Sequence, residues 1–542
     1  MDLRSKGWIW LVVALGSWST PDRAASPLEA RVEAVLGGKE FANAHWGLLV
    51  VDSVTGRTVF ERDADRLFCP ASVTKLFSAA TALIDLGAEH RFRTPVVRRG
   101  EVKDGVLRGD LILVAQGDFS LGGRTGPDGT LLFEDNDHSY AGGNPDASLV
   151  PGDPLAGLTH LAREVHAAGI REVLGDVLVD DRLFEAAPST GSGPSRVSPI
   201  VINDNLVDLV ITPGGKAGEP ARVRMIPEAA PLALDARIET AADASAPLSL
   251  QIRAFGPRRV QVAGQVPIGH KPIVRTVEVE DPASFARALF IETLRVRGVR
   301  VGASPLADNP AGLLPSKGEV AALPLVAQYT SPPLREYLKV ILKVSQNLHA
   351  SMLPLLVATH HGGTSLERGL RLEGEILAKL GVDTRTIAFG GGAGGSRSDL
   401  ATPRATVALL QAMAGRADFA AFDAALPVLG RDGTLARAVA PESPARGHAR
   451  AKTGTFWVDN GLDGRPVLVS KALAGYLETA GGRKLSFAFF LNNAPVEAVQ
   501  GPASEFAALA GRRLGRLCEA FYADGPEPGP ASVAPEPPRS GR

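Results

Sequence analysis

Cysteine is nearly missing from this chain: 542 residues carry two, Cys69 and Cys518. A disulfide framework is thereby excluded, and at most one bridge between the two is left open. Aromatic residues are also few, at 6%, which argues against a platform for stacked bases. Charge of one sign is not in excess either. The formal net charge is −1, so neither nucleic acid nor an anionic membrane surface is an expected partner. No segment beyond the first 25 residues is apolar for long enough to span a bilayer, so no strong membrane anchor is expected. The ten histidines are scattered. His349 and His360-His361 have no Cys or acidic neighbour at ligand spacing, so they read as loop or helix-surface residues. No metal and no other cofactor is expected.

What is present is ample apolar material, 45% of residues, in a chain long enough for two or three domains. Residues 1–25 read as a secretory signal peptide, with Arg4 and Lys6, an apolar run Trp8–Leu15, and small residues Ala24-Ala25. The expected location is therefore outside the cytoplasm, periplasmic or extracellular. Gly525–Arg542 is proline-rich without apolar periodicity and reads as a disordered tail.

One stretch points to chemistry. Ser72-Val-Thr-Lys75 is the sole Ser-x-x-Lys of the sequence. Pro70 precedes it, and Leu76, Phe77, Ala80, Leu83 and Ile84 recur at helical spacing until Gly87. The pattern predicts an amphipathic helix with Ser72 at its start, near unpaired N–H groups and the positive end of the dipole. A lysine one turn on shares that face and can reach the serine oxygen. Taken alone, Ser-x-x-Lys is usually a cap followed by a solvated lysine. Two further elements change the balance: Ser345-Gln346-Asn347 after the helical run Leu334–Leu342, and Lys452-Thr453-Gly454-Thr455. Their order matches the three motifs of penicillin-binding proteins and serine β-lactamases.

In this reading Ser72 is the nucleophile and Lys75 its base, with an amine kept neutral by burial and by the charge of Lys452. Ser345 relays a proton to the leaving amine. Asn347 binds the substrate backbone and Lys75. Lys452, Thr453 and Thr455 receive a terminal carboxylate, and Gly454 lets the strand approach a substrate that adds alongside it. A second glycine-rich run, Gly390–Gly395, formally satisfies G-x-G-x-x-G. It lacks a βαβ unit and a ribose-binding acid, so it reads as a tight loop using positive φ angles.

Strand patterns fall into two separated blocks. Gly47–Asp52 and Arg57–Glu61 form a hairpin ahead of the helix. Ala449–Lys452, Lys471–Leu477 and Leu485–Leu491 follow near the C-terminus, the last two joined through Gly481-Gly482. The fold class expected is α+β and multidomain: one antiparallel sheet flanked by helices, with β-rich inserted domains.

Assembled in this way, the chain resembles the class C low-molecular-mass penicillin-binding proteins, the D-alanyl-D-alanine carboxypeptidase/endopeptidases of the S13 peptidase family. The likeness covers about residues 30–520. It includes Gly109–Val114 with Gly117-Asp118, Gly175–Asp181, Leu426-Pro-Val, Asp432-Gly-Thr434 and Leu473-Ala-Gly-Tyr476. The resemblance implies a penicilloyl-serine-transferase, β-lactamase-like core of residues 26–92 and 325–524. It implies an inserted domain of 93–185 and 280–324, and a β-rich domain of 186–279 nested within it. It also implies an acyl-enzyme on Ser72, an oxyanion hole from the N–H groups of Ser72 and Thr455, and peptidoglycan stem peptides and β-lactam antibiotics as partners. Oligomeric state stays open, a homodimer included. Alternatives are a serine β-lactamase and a catalytically weak peptidoglycan-binding scaffold. Three departures stand out. The usual Asp-Gly-Ser-Gly-Leu-Ser-Arg loop reads Gly391-Gly-Ala-Gly-Gly-Ser-Arg397, the usual Asp of the second motif is Gln346, and the segment around Asp459–Leu468 is long.

Overall fold

The computed structural model describes residues 26–495, apart from Gly143 and Pro257, and 503–524. The expected signal peptide, residues 1–25, and the expected disordered tail, residues 525–542, lie outside the described residues.

Two stretches nearly 400 residues apart build one five-stranded antiparallel sheet. Its order is Ala449–Asp459, Pro466–Glu478, Lys484–Pro495, His45–Asp52, Thr58–Arg62. The central strands are apolar at nearly every position because both faces are covered. Leu48, Val50, Phe487 and Phe489 face the helices Pro27–Leu36 and Ala503–Tyr522. Leu49, Val51, Ala488 and Phe490 face the core of Thr74–Leu86, Asn347–His360 and Pro403–Ala414. The Thr74–Leu86 helix differs from the amphipathic expectation. Every residue from Thr74 to Leu83 is buried, since sheet and helices enclose it. Gly87 ends it at φ 89°, a conformation open to glycine.

The long insertion forms its own sheets. Arg300–Val301, Glu172–Val173, Val106–Val114, Arg93–Lys103 and Leu325–Thr330 lie side by side, and Val177–Asp180 also pairs with Val106–Val114. Helices Ala156–Ala167 and Pro282–Val296 contribute to the core behind them. Leu325–Thr330, assigned by sequence to the catalytic block, instead pairs antiparallel with Arg93–Lys103. The chain enters the insertion on Arg93–Lys103 and leaves it on the neighbouring strand Leu325–Thr330.

Two three-stranded sheets lie within it. One runs Arg222–Ile226, Leu206–Thr212, Ile273–Glu278; the other Ala233–Ala241, Arg259–Pro267, Ser249–Ala254. Ala233–Ala241 and Ile273–Glu278 are strands that the sequence reading did not mark. Both cysteines are buried free thiols. Among the described residues no helix is long and apolar enough to cross a membrane.

Candidate active site

The turn carrying Ser72 is pinned before it starts. The Cys69 N–H donates to Asn492 Oδ1 at 2.7 Å, and its carbonyl accepts from Ser470 Oγ at 2.7 Å and Asn492 Nδ2 at 3.1 Å. Ala71 then sits fully buried at φ 45°, a strained conformation that persists where its surroundings enforce it. Two distant glycines make room. A Cβ on Gly454 would stand 2.4 Å from the Pro70 carbonyl oxygen, and one on Gly394 2.0 Å from that of Ala71. The space at Gly454, expected to admit a substrate backbone, is thus occupied by the turn carrying Ser72. Ser72 lies in a single 3₁₀ turn, Ala71–Val73, and the α-helix begins at Thr74.

Lys75 is completely buried. Its Nζ lies 2.8 Å from Ser72 Oγ, 2.7 Å from Asn347 Oδ1 and 2.8 Å from the Ala393 carbonyl oxygen. Burial lowers its pKa to about 7, against the opposing pull of Asp399. At neutral pH a large share of the amine therefore has a lone pair to accept the Ser72 hydroxyl proton. The lowering was expected to come partly from Lys452, whereas desolvation dominates. Lys452 in turn is held well below the usual lysine range by its own burial first, then by Lys75 and Lys471.

The altered glycine loop supplies the third partner of Lys75 through its main chain. Asp399 closes the loop by accepting from the Gly390 and Ser396 N–H groups at 2.7 and 2.9 Å. The Gly392 carbonyl accepts from Ser78 Oγ at 2.8 Å. Within Gly390–Gly395 only Gly394 has a positive φ, +79°. Gly392 is needed for contact, since a Cβ there would meet the Ala350 carbonyl oxygen at 2.2 Å.

Ser345 follows a π-helical turn, Val340–Val344, and adopts a left-handed conformation at φ 66°, ψ 38°. Its Oγ accepts from Lys452 Nζ at 2.8 Å. Asn347 opens the next helix, offering Oδ1 to Lys75 while its Nδ2 donates to the Ser192 carbonyl and Oγ at 3.1 and 3.2 Å. Ser192 belongs to the connector between the short strands Ala187–Pro188 and Arg196–Val197, and it engages the amide expected to bind substrate.

Behind this motif lies a buried charge network that the sequence reading missed. Asn203, Asp204 and Asn205 all have positive φ, 51°, 52° and 54°, and so aim the Asp204 carboxylate inward. It is paired with Arg124, lies 2.8 Å from His138 Nε2 and 2.9 Å from His349 Nε2, and accepts from Gln346 Nε2 at 3.4 Å. His138 also meets Asp208 at 2.8 Å. Burial opposes its charge, but the Asp208 and Asp204 carboxylates prevail and raise its pKa to about 10. Against burial, Arg124 and His349 hold Asp204 well below the usual carboxylate range. His349, expected at a surface, is fully buried here.

The third motif lies on the sheet's edge strand, Ala449–Asp459. Leu426–Leu429 covers that edge only at its beginning, where the Leu429 N–H donates to Ala449 and the Ala451 N–H to Pro427. Strand alternation points the Thr453 and Thr455 N–H groups to the same side as that of Ala451, past the end of this cover. Thr453 Oγ1 donates to Thr434 Oγ1 at 2.7 Å, and Thr455 Oγ1 accepts from Lys471 Nζ at 2.8 Å. Lys471, opposite Thr455 in the ladder, carried no motif and was not anticipated. All eight predicted site residues therefore lie in one assembly of three motifs.

The profile of the D-Ala-D-Ala carboxypeptidase 3 (S13) family matches residues 28–510. The D-alanyl-D-alanine carboxypeptidase of Actinomadura sp. (strain R39) is 32% identical over 465 residues, 81% of this chain and 78% of that protein. The D-alanyl-D-alanine carboxypeptidase DacB of Haemophilus influenzae is 25% identical over 436 residues, 78% of this chain and 80% of its own length. The crystal structure of penicillin binding protein 4 (dacB) from Haemophilus influenzae shares the fold, with a TM-score of 0.67 and 22% identity over 89% of this chain and 98% of that one. The chain belongs to the D-Ala-D-Ala carboxypeptidase 3 (S13) family.

Proposed function

We propose that this serine-type D-Ala-D-Ala carboxypeptidase uses Ser72 as nucleophile and the neutral Lys75 amine as base, acting on peptidoglycan stem peptides outside the cytoplasm. The observation that carries the assignment is the 2.8 Å approach of Lys75 Nζ to Ser72 Oγ, with the amine lowered to about 7 by burial. The peptide lies along the free edge beyond Ala451, with its terminal carboxylate toward Lys452, Thr453 and Thr455. A carboxylate there stabilises the Lys452 ammonium, so substrate restores the charge that burial suppresses in the empty site. The Ser72 and Thr455 N–H groups hold the developing oxyanion, each worth about 2.7–4 kcal/mol of barrier. Ser345, bonded to Lys452, returns a proton to the leaving D-alanine amine. Asn347 fixes Lys75, and Gly454 lets the edge strand close on the nucleophile turn. Water then hydrolyses the acyl-enzyme.

β-Lactams would acylate the same serine. A penicillin binding protein 4 of this fold has been solved complexed with a novel β-lactam. The β-lactamase and scaffold alternatives are not favoured by the relatives, which are carboxypeptidases. Two assays test the proposal. Fluorescent penicillin should label the wild type and leave Ser72→Ala blank; full labelling of the variant would place the nucleophile elsewhere. Mass spectrometry of digested peptidoglycan fragments should show released alanine, separated cross-linked peptides, or both.

A further inference from the structure

Asp85, near the end of the Thr74–Leu86 helix, meets two adjacent imidazoles from the end of the Asn347–His360 helix. His360 Nδ1 lies 2.9 Å from Asp85 Oδ2, and His361 Nε2 lies 2.7 Å from Asp85 Oδ1. The sequence hides this grouping, because 275 residues separate Asp85 from His360. We propose that Asp85, His360 and His361 form a binding site for a divalent transition ion of the Zn²⁺ type, linking the far ends of the two helices whose first turns carry Lys75 and Asn347.

The donor set suits the ion: imidazole nitrogen and carboxylate oxygen are ordinary Zn²⁺ ligands, and water can complete the coordination. One ligand atom from each residue falls within 4.8 Å of the others. Ligands held about 2.0–2.1 Å from a tetrahedral ion stand about 3.3 Å apart, so the two carboxylate–imidazole contacts, at 2.9 and 2.7 Å, need to open by about half an ångström. The Asp85 side chain is 10% exposed, while those of His360 and His361 are 52% and 42% exposed. The carboxylate is thus a fixed anchor, and the rings can adjust from the solvent side. Binding requires a lone pair on the ring nitrogen that now faces Asp85. Each neutral imidazole supplies it by carrying its proton on the other nitrogen, and no redox step is involved. Asp85 stands ten residues, about 15 Å of helix rise, beyond Lys75. The ion would brace the helix pair without touching the reacting groups.

The test uses the mature, untagged chain, stripped with EDTA, dialysed and titrated calorimetrically with ZnCl₂. Expected is saturable uptake that Asp85→Asn and His361→Ala each weaken at least about tenfold. Co²⁺ in place of Zn²⁺ should give visible absorption that the same variants lose. Retained penicillin labelling shows that the variants are folded. In the unmutated protein, Zn²⁺ should protect His360 and His361 from diethyl pyrocarbonate, read residue by residue in a mass spectrum. Absence of binding at about 1 mM Zn²⁺, equal affinity in the wild type and the Asp85→Asn/His360→Ala/His361→Ala variant, or no protection of either histidine would overturn the proposal.

Discussion

Tyr140 donates its phenol hydrogen to the main-chain carbonyl of Ser345 at 3.1 Å, shared with that of Val344 at 2.9 Å. The hydroxyl comes from the inserted block and bonds across 205 residues of chain. It braces the one left-handed residue of the second motif. Tyr140→Phe keeps the ring and deletes the bond, so stability should fall by about 1 kcal/mol. Acylation by penicillin should slow by about tenfold, because a misplaced serine costs more in rate than in folding. Stopped-flow labelling beside a thermal melt checks both. A lowered Tm with an unchanged acylation rate would confine Tyr140 to a structural part.

Acylation should depend on pH through Lys75. Its pKa is lowered to about 7, and in the proposed mechanism the neutral amine is the base, so the rate should rise as pH rises through about 7 and level off above it. A lysine left at its ordinary value would put the midpoint beyond pH 10. The second-order rate constant for penicillin between pH 5.5 and 9 decides. A flat profile would remove Lys75 as the titrating base.

How much of this was legible in the sequence follows from how each feature signals itself. The three motifs were readable because Ser72–Lys75 and Asn347 sit in or beside regular helix, and Lys452–Thr455 in regular strand. Their neighbours were not. Lys471 is an ordinary strand residue until the ladder sets it opposite Thr455. Asp204 depends on three successive left-handed residues, which no spacing rule foresees. His349 looked like a surface residue because its partner comes from the insertion, 145 positions away.

The departure at the second motif has a physical reason in this chain. Gln346 Nε2 donates to Asp204, whose buried carboxylate is already paired with Arg124. Gln346→Asp, the residue usual in the family's motif, would set a second carboxylate against the first. One of the two would then have to take up a proton. The variant should lose about 2–3 kcal/mol at pH 7, with part of the loss recovered near pH 5, where the added carboxyl protonates. Asp204→Asn should be worse, about 3–5 kcal/mol, since it leaves Arg124 and His138 under-compensated. Denaturant melts at the two pH values test the pair; a Gln346→Asp protein as stable as the wild type at pH 7 would show that the network does not reach the motif.

A last prediction concerns Glu373, on the Leu366–Lys379 helix that packs against Asn347–His360. Its side chain is nearly inaccessible, and among the described residues neither carboxyl oxygen has a hydrogen-bond partner. Burial first, and Asp399 second, raise its pKa to about 8, so the folded protein keeps it protonated at neutral pH. The unfolded chain releases that proton near 4.5, and the folded one only near 8. Stability linked to Glu373 is therefore whole below about pH 4.5, declines as pH rises between the two values, and is fully lost above about 8. Glu373→Gln removes the titration while keeping the shape. The variant should gain on the wild type as pH climbs, with a difference between pH 5 and pH 9 of up to roughly 4 kcal/mol at 1.36 kcal/mol per unit. Parallel Tm profiles for the two proteins over that range would mean that Glu373 ionises in the fold as freely as in water, and that its burial is relieved by a solvent path.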